Sequence, residues 1–383
     1  MTDWLDLQTA ERLLSDLVAI PSVNPMGRPF TGSAPVERGV ADYLEHLFAP
    51  YPVRMSRMAP GPMHESLLVE APGRADGPCA LFESHMDTVP ADDWSDRAFE
   101  PRSEDGMLIG RGACDDKGPL LAMALALLDL LEHGERPAMP VLLMAAGDEE
   151  FGQTGIKQFR ATERPVAFGV FGEPTRMAPV VQHKGTVRWD VTVHGRSAHT
   201  SRPELGENAI LGAMRVIEAL ASHQEALQER HVSPLTTGPT ITVTMIAGGR
   251  TRNAVPDECT LAVDFRVVPG MDPLRAREEA MRALDATGLP ITHSEVQLWT
   301  PALDTPPNHP LVVLALEACR RHAGDGIAVR GEPYGTDAAW IADRAPAIVL
   351  GPGDIAHAHA VDERVSIAAL VACARIYREL MAF

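Results

Sequence analysis

The clearest chemistry in this chain lies where an apolar run stops at acids: Met144, Ala145 and Ala146 lead through Gly147 into Asp148, Glu149 and Glu150. Residues 141–146 follow Pro140 and are apolar throughout, as in a strand covered on both faces, so the acids stand at its carboxyl end. On an extended backbone neighbouring side chains point in roughly opposite directions, and Glu149 and Glu150 are therefore expected to divide their labour. One carboxylate would hold a cation while the other carries a proton, the pairing that metal-assisted hydrolysis requires. The bland alternative is a solvated acidic corner.

Other stretches offer matching donors. Residues 79–82 form a short apolar strand running into Glu83, Ser84, His85, Met86 and Asp87. His-x-Asp supplies an imidazole ligand and a carboxylate to fix its second nitrogen; the rival is a satisfied core histidine. Residues 166–171 end at Gly172, Glu173 and Pro174. Binding crevices of open α/β sheets lie outside the carboxyl ends of strands, which is where these residues would converge. The glycine-rich GRGACDDKG, residues 110–118, resembles a phosphate cradle only superficially, because its spacing is not G-x-x-x-x-G-K-[ST] and Asp115 and Asp116 would repel a phosphate. A cation suits it better. Late in the chain, GPGDIAHAHAVDE offers His357 and His359.

Gathered in one place, His85, Asp115, Glu149, Glu150, Glu173 and one late histidine would repel or take up protons unless cations compensated them. Two divalent ions remove that cost. Imidazole and carboxylate without thiolate suit zinc, with cobalt or manganese also accommodated. A bridging Asp115 would hold ions roughly 3.5–4 Å apart, lowering the pKa of a bound water and polarising a carbonyl. The remaining carboxylate would pass the water's proton to a departing nitrogen. The chemistry expected is amide hydrolysis without a protein nucleophile; Ser-His-Asp catalysis competes poorly, since no G-x-S-x-G elbow is present.

The elements that must position these residues fall into two styles. Helical spacing is expected near residues 4–18 and 36–48, and a buried, all-apolar helix is expected to start at Pro119. After Pro179 the pattern changes to alternating strands at 187–193, 240–246 and 260–267, helices at 209–227 and 274–284, and a last strand at 295–299. This β-α-β-β-α-β order predicts an antiparallel sheet with helices on one face. Residues 307–383 then resume the first style, with a helix at 311–321, a strand at 347–350 and a closing helix at 366–381.

Composition narrows the partners. The 383 residues carry 52 acidic against 34 basic side chains, a formal net charge of -18, which disfavours nucleic acid and anionic membranes. The longest apolar run, residues 119–131, is short of the roughly 20 residues that a span needs. Cys79, Cys114, Cys259, Cys319 and Cys373 are scattered and form no CxxC pair, and the N-terminus lacks a secretory pattern. A cytoplasmic protein is expected.

Together SHMDTVP, GRGACDDKGP, GDEEFG, GEPT and AHAVDE, in this order and spacing, resemble the M20 metallopeptidase family, particularly its acetylornithine deacetylase and succinyl-diaminopimelate desuccinylase branch. The likeness extends to KGTVRWDVTVHGRSAHTSRP, GGRTRNAVPDECTLAVDFRVVPG and YGTDAAW. It implies a three-layer αβα catalytic domain of zinc-peptidase type, residues 1–180 and 300–383, with an inserted two-layer α+β, ferredoxin-like lid and dimerisation domain at 181–299. By the same resemblance His85 and Glu173 would bind one ion, Glu150 and His359 the other, and Asp115 both. Asp87 would orient His85, Glu149 would be the general base, and His357 would be incidental or outside the ligand set. His199 would stabilise the oxyanion from a partner subunit. Asn253, Arg266, Gly335 and Thr336 would face substrate, although Asn253 and Arg266 also read as a strand-end polar residue and a surface ion pair.

The implied activity is removal of an acyl group from an amino acid, acetylornithine first in line, by a homodimer acting on N-acyl amino acids or short peptides. Glu173 fits deacylases and carboxypeptidases; Asp116 and Pro119, giving DDKGP where the deacetylases commonly have DMKGG, fit dipeptidase-like members. Succinyl-diaminopimelate desuccinylase, a dipeptidase or carboxypeptidase, and a catalytically silent binding relative are the alternatives.

Overall fold

The computed structural model describes residues 2–30 and 32–383. The chain divides into two compact units: Met1–Val181 with Thr305–Arg330 and Thr336–Phe383, and Gln182–Asp304 with Gly331–Gly335.

In the first unit the strand Cys79–His85 lies between Val141–Ala146 and Val166–Phe171, parallel to both, and Ala347–Val349 continues the parallel set beyond Val166–Phe171. Register sets His85 opposite Ala146 and Glu83 opposite Phe171, so the carboxyl ends finish nearly level. Continuous apolar composition explains the order: Cys79–His85 and Val141–Ala146 are buried at every position. On the far side of Val141–Ala146 run two antiparallel strands, Ser66–Ala71 and the edge strand Arg54–Met58, which sequence patterning did not anticipate. Arg54–Met58, RMSRM, is half exposed and carries two arginines, so its apolar signal is weak.

Helices cover both faces of this sheet, giving three αβα layers. Lys117–Glu132 is buried almost all round and packs against Leu7–Val18 and Ile367–Ala382. It begins at Lys117, two residues before the proline expected to start it. Phe82 alternates toward this layer, meeting Tyr377 edge-on at 6.2 Å, which turns Glu83 and His85 to the opposite face. Arg38–Phe48 packs on Ser66–Ala71, and Thr154–Ala161 on Arg54–Met58. A small antiparallel sheet of Arg102–Glu104, Met107–Ile109 and Arg364–Ser366 stands apart.

The second unit is an antiparallel sheet in the order Thr240–Gly248, Glu258–Val267, Gly185–His194. Its alternating apolar positions, among them Trp189, Val191, Val263 and Phe265, form one core with the helices Ala209–Arg230 and Pro273–Asp285. The last strand expected at 295–299 is instead two short ones, Ile291–His293 and Leu298–Thr300, both on Gly185–His194. Between them the Ser294 hydroxyl accepts from Asp190 N at 2.9 Å and donates to Glu295 O at 2.8 Å, so side-chain bonds interrupt the ladder.

Candidate metal centre

Three parallel strands bring their ends together: His85 closes one, the turn at 147–152 follows the second, and Glu173 lies just beyond the third. Asp115 and Asp116 precede the Lys117–Glu132 helix, and His359 follows the short helix Ile355–His357.

Two overlapping donor groups result. His85, Asp115, Asp116 and Glu173 each present a ligand atom, all within 4.8 Å of one another, and Asp115, Glu150 and His359 do the same. Asp115 belongs to both. Its Oδ1 lies 3.0 Å from His85 Nε2 and its Oδ2 3.2 Å from His359 Nε2, while Glu150 Oε2 lies 3.4 Å from that same His359 nitrogen. Asp116, read with Asp115 as suiting a cation but left out of the expected ligand set, accepts from the Ser84 hydroxyl and, at 3.3 Å, from His85 N.

Glu149 and Glu150 do not continue the strand as the argument for divergent side chains assumed; they sit in a turn after Asp148, whose φ is +65°. Asp87 shapes that turn: its carboxylate accepts from Glu149 N at 3.1 Å, Glu150 N at 3.2 Å and Asn24 Nδ2 at 2.8 Å. The imidazole of His85 is oriented chiefly by the carbonyl of Asp87, 2.8 Å from Nδ1, with the Asp87 carboxylate 3.6 Å away. Gln153 Nε2 donates to Glu149 Oε1 at 3.1 Å. Asn24 and Gln153 carried no signal beyond their polarity.

The electrostatics follow from crowding anions in a dry place. Burial, then the charge of Asp337, pushes the Glu149 carboxyl well above its ordinary pKa, and burial followed by the charges of Asp115 and Asp116 does the same for Glu173. Burial works against the charge on Asp115, but hydrogen bonds from His359 and His85 hold it below the usual carboxylate range. Hydrogen bonds to Asp115 and Glu150 lift His359 to about 10.

Four carboxyls around two imidazoles leave a deficit of positive charge, and two of their buried oxygens, Asp116 Oδ1 and Glu150 Oε1, have no hydrogen-bond partner. Divalent cations would meet both needs. The donors are oxygen and imidazole; nearby Cys114 turns its sulfur to Asp354 O, 3.5 Å away, so zinc, cobalt or manganese fits better than a thiolate-seeking ion.

His357 belongs to neither donor group. In the second unit His199 and Asn253 lie on paired segments, with Thr200 N donating to Asn253 O at 3.1 Å, and His199 Nδ1 meets the Ser201 hydroxyl at 2.8 Å. Arg266 is held by Asp264 on its own strand, 2.7 Å from Nε. A Cβ at Gly335 would lie 3.2 Å from Lys184 O, and Thr336 caps the short helix Asp337–Trp340 by accepting from Ala338 N. Among the described residues no helix is long and apolar enough to cross a membrane.

Residues 81–382 match the model of peptidase family M20/M25/M40. The chain is 32% identical over 323 residues to an acetylornithine deacetylase of Myxococcus xanthus, covering 81% of each chain, and 31% identical over 319 residues to one of Pectobacterium atrosepticum, again 81% of each. Among solved structures it resembles a tripeptidase of Staphylococcus aureus (TM-score 0.79, 21% identity, 98% of each chain). An M20 metallo-carboxypeptidase of Sulfolobus solfataricus is similar in fold (TM-score 0.78, 18% identity, 97% of this chain and 98% of that one).

Proposed function

The chain belongs to peptidase family M20/M25/M40 and is a metal-dependent amidohydrolase; from that premise we propose that it removes an acyl group from the α-nitrogen of an amino acid, N-acetylornithine or a close relative. The observation that carries the reading is Asp115 standing between two imidazoles, one carboxylate oxygen toward each.

In this reading His85 and Glu173 hold one divalent ion, Glu150 and His359 a second, and Asp115 both, with Asp116 an added donor on the first side. Zinc is the first choice, cobalt or manganese the alternatives. Such ions polarise the scissile carbonyl and make a water more acidic. Glu149 would take a proton from the water as its oxygen bonds to the scissile carbonyl carbon, and would return it to the nitrogen as the C–N bond breaks. A carboxyl raised by burial suits this task, because it can hold a proton between the two steps. Asp87 fixes the turn that carries Glu149, and Gln153 fixes its side chain.

On the substrate side, Arg266 offers a bidentate fork to a carboxylate once released from Asp264, His199 and Asn253 serve the oxyanion and the acyl group, and Gly335 and Thr336 line the approach. The acting form is a homodimer in which the second unit is lid and contact surface, and a cytoplasmic setting suits the five unpaired buried thiols.

The test is turnover of metal-loaded protein on N-acetylornithine, N-succinyl-diaminopimelate and dipeptides. Preference for an N-acetyl amino acid is expected. Fastest turnover of dipeptides would favour the second reading, for which Asp116 inside the donor group is the specific observation. Glu149→Gln should keep the metal content and lose roughly 10²–10⁴-fold in kcat. Near-normal turnover would remove Glu149 from the role of base.

A further inference from the structure

Among the buried ionisable groups the reaction does not use, Glu363 stands out for what it grips. It ends the HAVDE stretch that begins at His359, and the next residues, Arg364–Ser366, pair antiparallel with Met107–Ile109. Its carbonyl extends that ladder by accepting from Gly110 N at 3.0 Å. The side chain is fully buried and crosses to the neighbouring turn. There Oε1 accepts from Cys114 N and Asp115 N, each at 2.9 Å, and Oε2 accepts from Arg111 Nη1 at 2.6 Å.

All three donors lie on the five residues that deliver Asp115. Arg111 is itself buried, its guanidinium 5.5 Å from the centre of the Trp94 ring, so the ion pair is dry and rigidly backed. A carboxylate is the one side chain of this length that accepts on both oxygens at once. An amide would turn its NH2 either on the guanidinium or on the two backbone amides.

We propose that Glu363 is a positioning residue that locks Asp115 and His359 into one register, and so sets affinity for the ion that Asp115, Glu150 and His359 share. This rests on the two-ion reading above. His85 and Glu173 come from other strand ends and are not tied to Glu363, so the ion on their side depends on it only through Asp115. Outer partners of metal ligands typically govern affinity by 10–100-fold.

The experiment is calorimetric titration of metal-free protein with Zn²⁺, and with Co²⁺ followed by visible absorption, for wild type, Glu363→Gln and Arg111→Lys. Wild type is expected to take up two ions in resolvable steps. In Glu363→Gln one step should weaken by about 10–100-fold, the other by less, with the cobalt spectrum of the weakened site altered. Arg111→Lys keeps the charge but loses the fork, and should shift the same step in the same direction by a smaller factor; it carries the test if Glu363→Gln does not fold. Folded variants with both steps at wild-type affinity overturn the role of Glu363. A wild type that binds fewer than two ions overturns the two-ion reading instead.

Discussion

The two units bury different things. Around its strand ends the first packs carboxyls, the His85 imidazole and the Arg111–Glu363 pair away from water, several at a cost that only bound cations or hydrogen bonds can offset. The second fills its core with aliphatic and aromatic side chains and leaves apolar groups outside: Met245 and Ile246 on the strand Thr240–Gly248, Leu211 and Met214 on the helix Ala209–Arg230. Strain in the first unit is electrostatic and sits where chemistry is proposed. In the second it is exposed hydrophobic surface, which points toward a partner.

That contrast is broken or sharpened first by a pair of substitutions with opposite consequences. Trp189 is the largest fully buried side chain of the second unit, packed within its core, and Trp189→Ala should cost about 3–5 kcal/mol of stability by urea unfolding. Glu149→Gln, which removes a carboxyl whose charge burial disfavours while no cation is bound, should leave the unfolding midpoint of the metal-free protein unchanged or slightly raised, while turnover of the loaded protein collapses. If Glu149→Gln unfolded the protein as readily as Trp189→Ala, the first unit's acids would be structural and the comparison void.

The next largest effect is in pH. Burial depresses His183, at the start of the second unit, to about 4, its Nδ1 meeting Lys184 O at 3.0 Å. An imidazole whose folded pKa lies below its unfolded one contributes stability that is present above about pH 6.5 and lost as pH falls toward 4, on the order of 3 kcal/mol in all. His359 in the first unit is shifted the other way, to about 10, so in metal-free protein its contribution is present below pH 6.5 and lost as pH rises toward 10. His183→Gln should therefore flatten the acid limb of the stability curve and leave the alkaline limb untouched. A steep acid limb that survives the substitution would assign the acid sensitivity elsewhere.

These differences also decide what was legible in the sequence. Parallel strands buried on both faces read as unbroken apolar runs, so Cys79–His85, Val141–Ala146 and Val166–Phe171 showed themselves, and with them the residues at their ends. Alternation in Gly185–His194 and Glu258–Val267 was equally plain, and the family motifs drew attention to residues that the fold gathers. What did not show were contacts made across sequence distance by ordinary polar residues. Asn24 reaches Asp87 over 63 positions and Glu363 reaches Asp115 over 248, and neither residue type announces such a bond. Ser66–Ala71 and Arg54–Met58 were missed because an edge pair with arginines on one strand has little period-2 contrast.

The smallest expected effect concerns the outer edge of the second unit. The strand Thr240–Gly248 pairs with Glu258–Val267 on one side only, and its sequence, TITVTMIAG, has no lysine or proline to block further pairing. Beside it, Ile217, Leu220, Ile241, Val243 and Met245 line a groove of about 440 Å³ against the helix Ala209–Arg230. A second copy laid antiparallel on this edge would extend the sheet and bury the same patch of both chains, an isologous contact. Met245 is 72% exposed, so Met245→Lys should change the stability of an isolated chain by less than about 0.5 kcal/mol. In a dimer it would set two lysines against an apolar partner, and sedimentation should then show monomer where the wild type shows dimer. A wild type that sediments as a monomer across the micromolar range would leave the exposed apolar face unexplained and end the homodimer proposal.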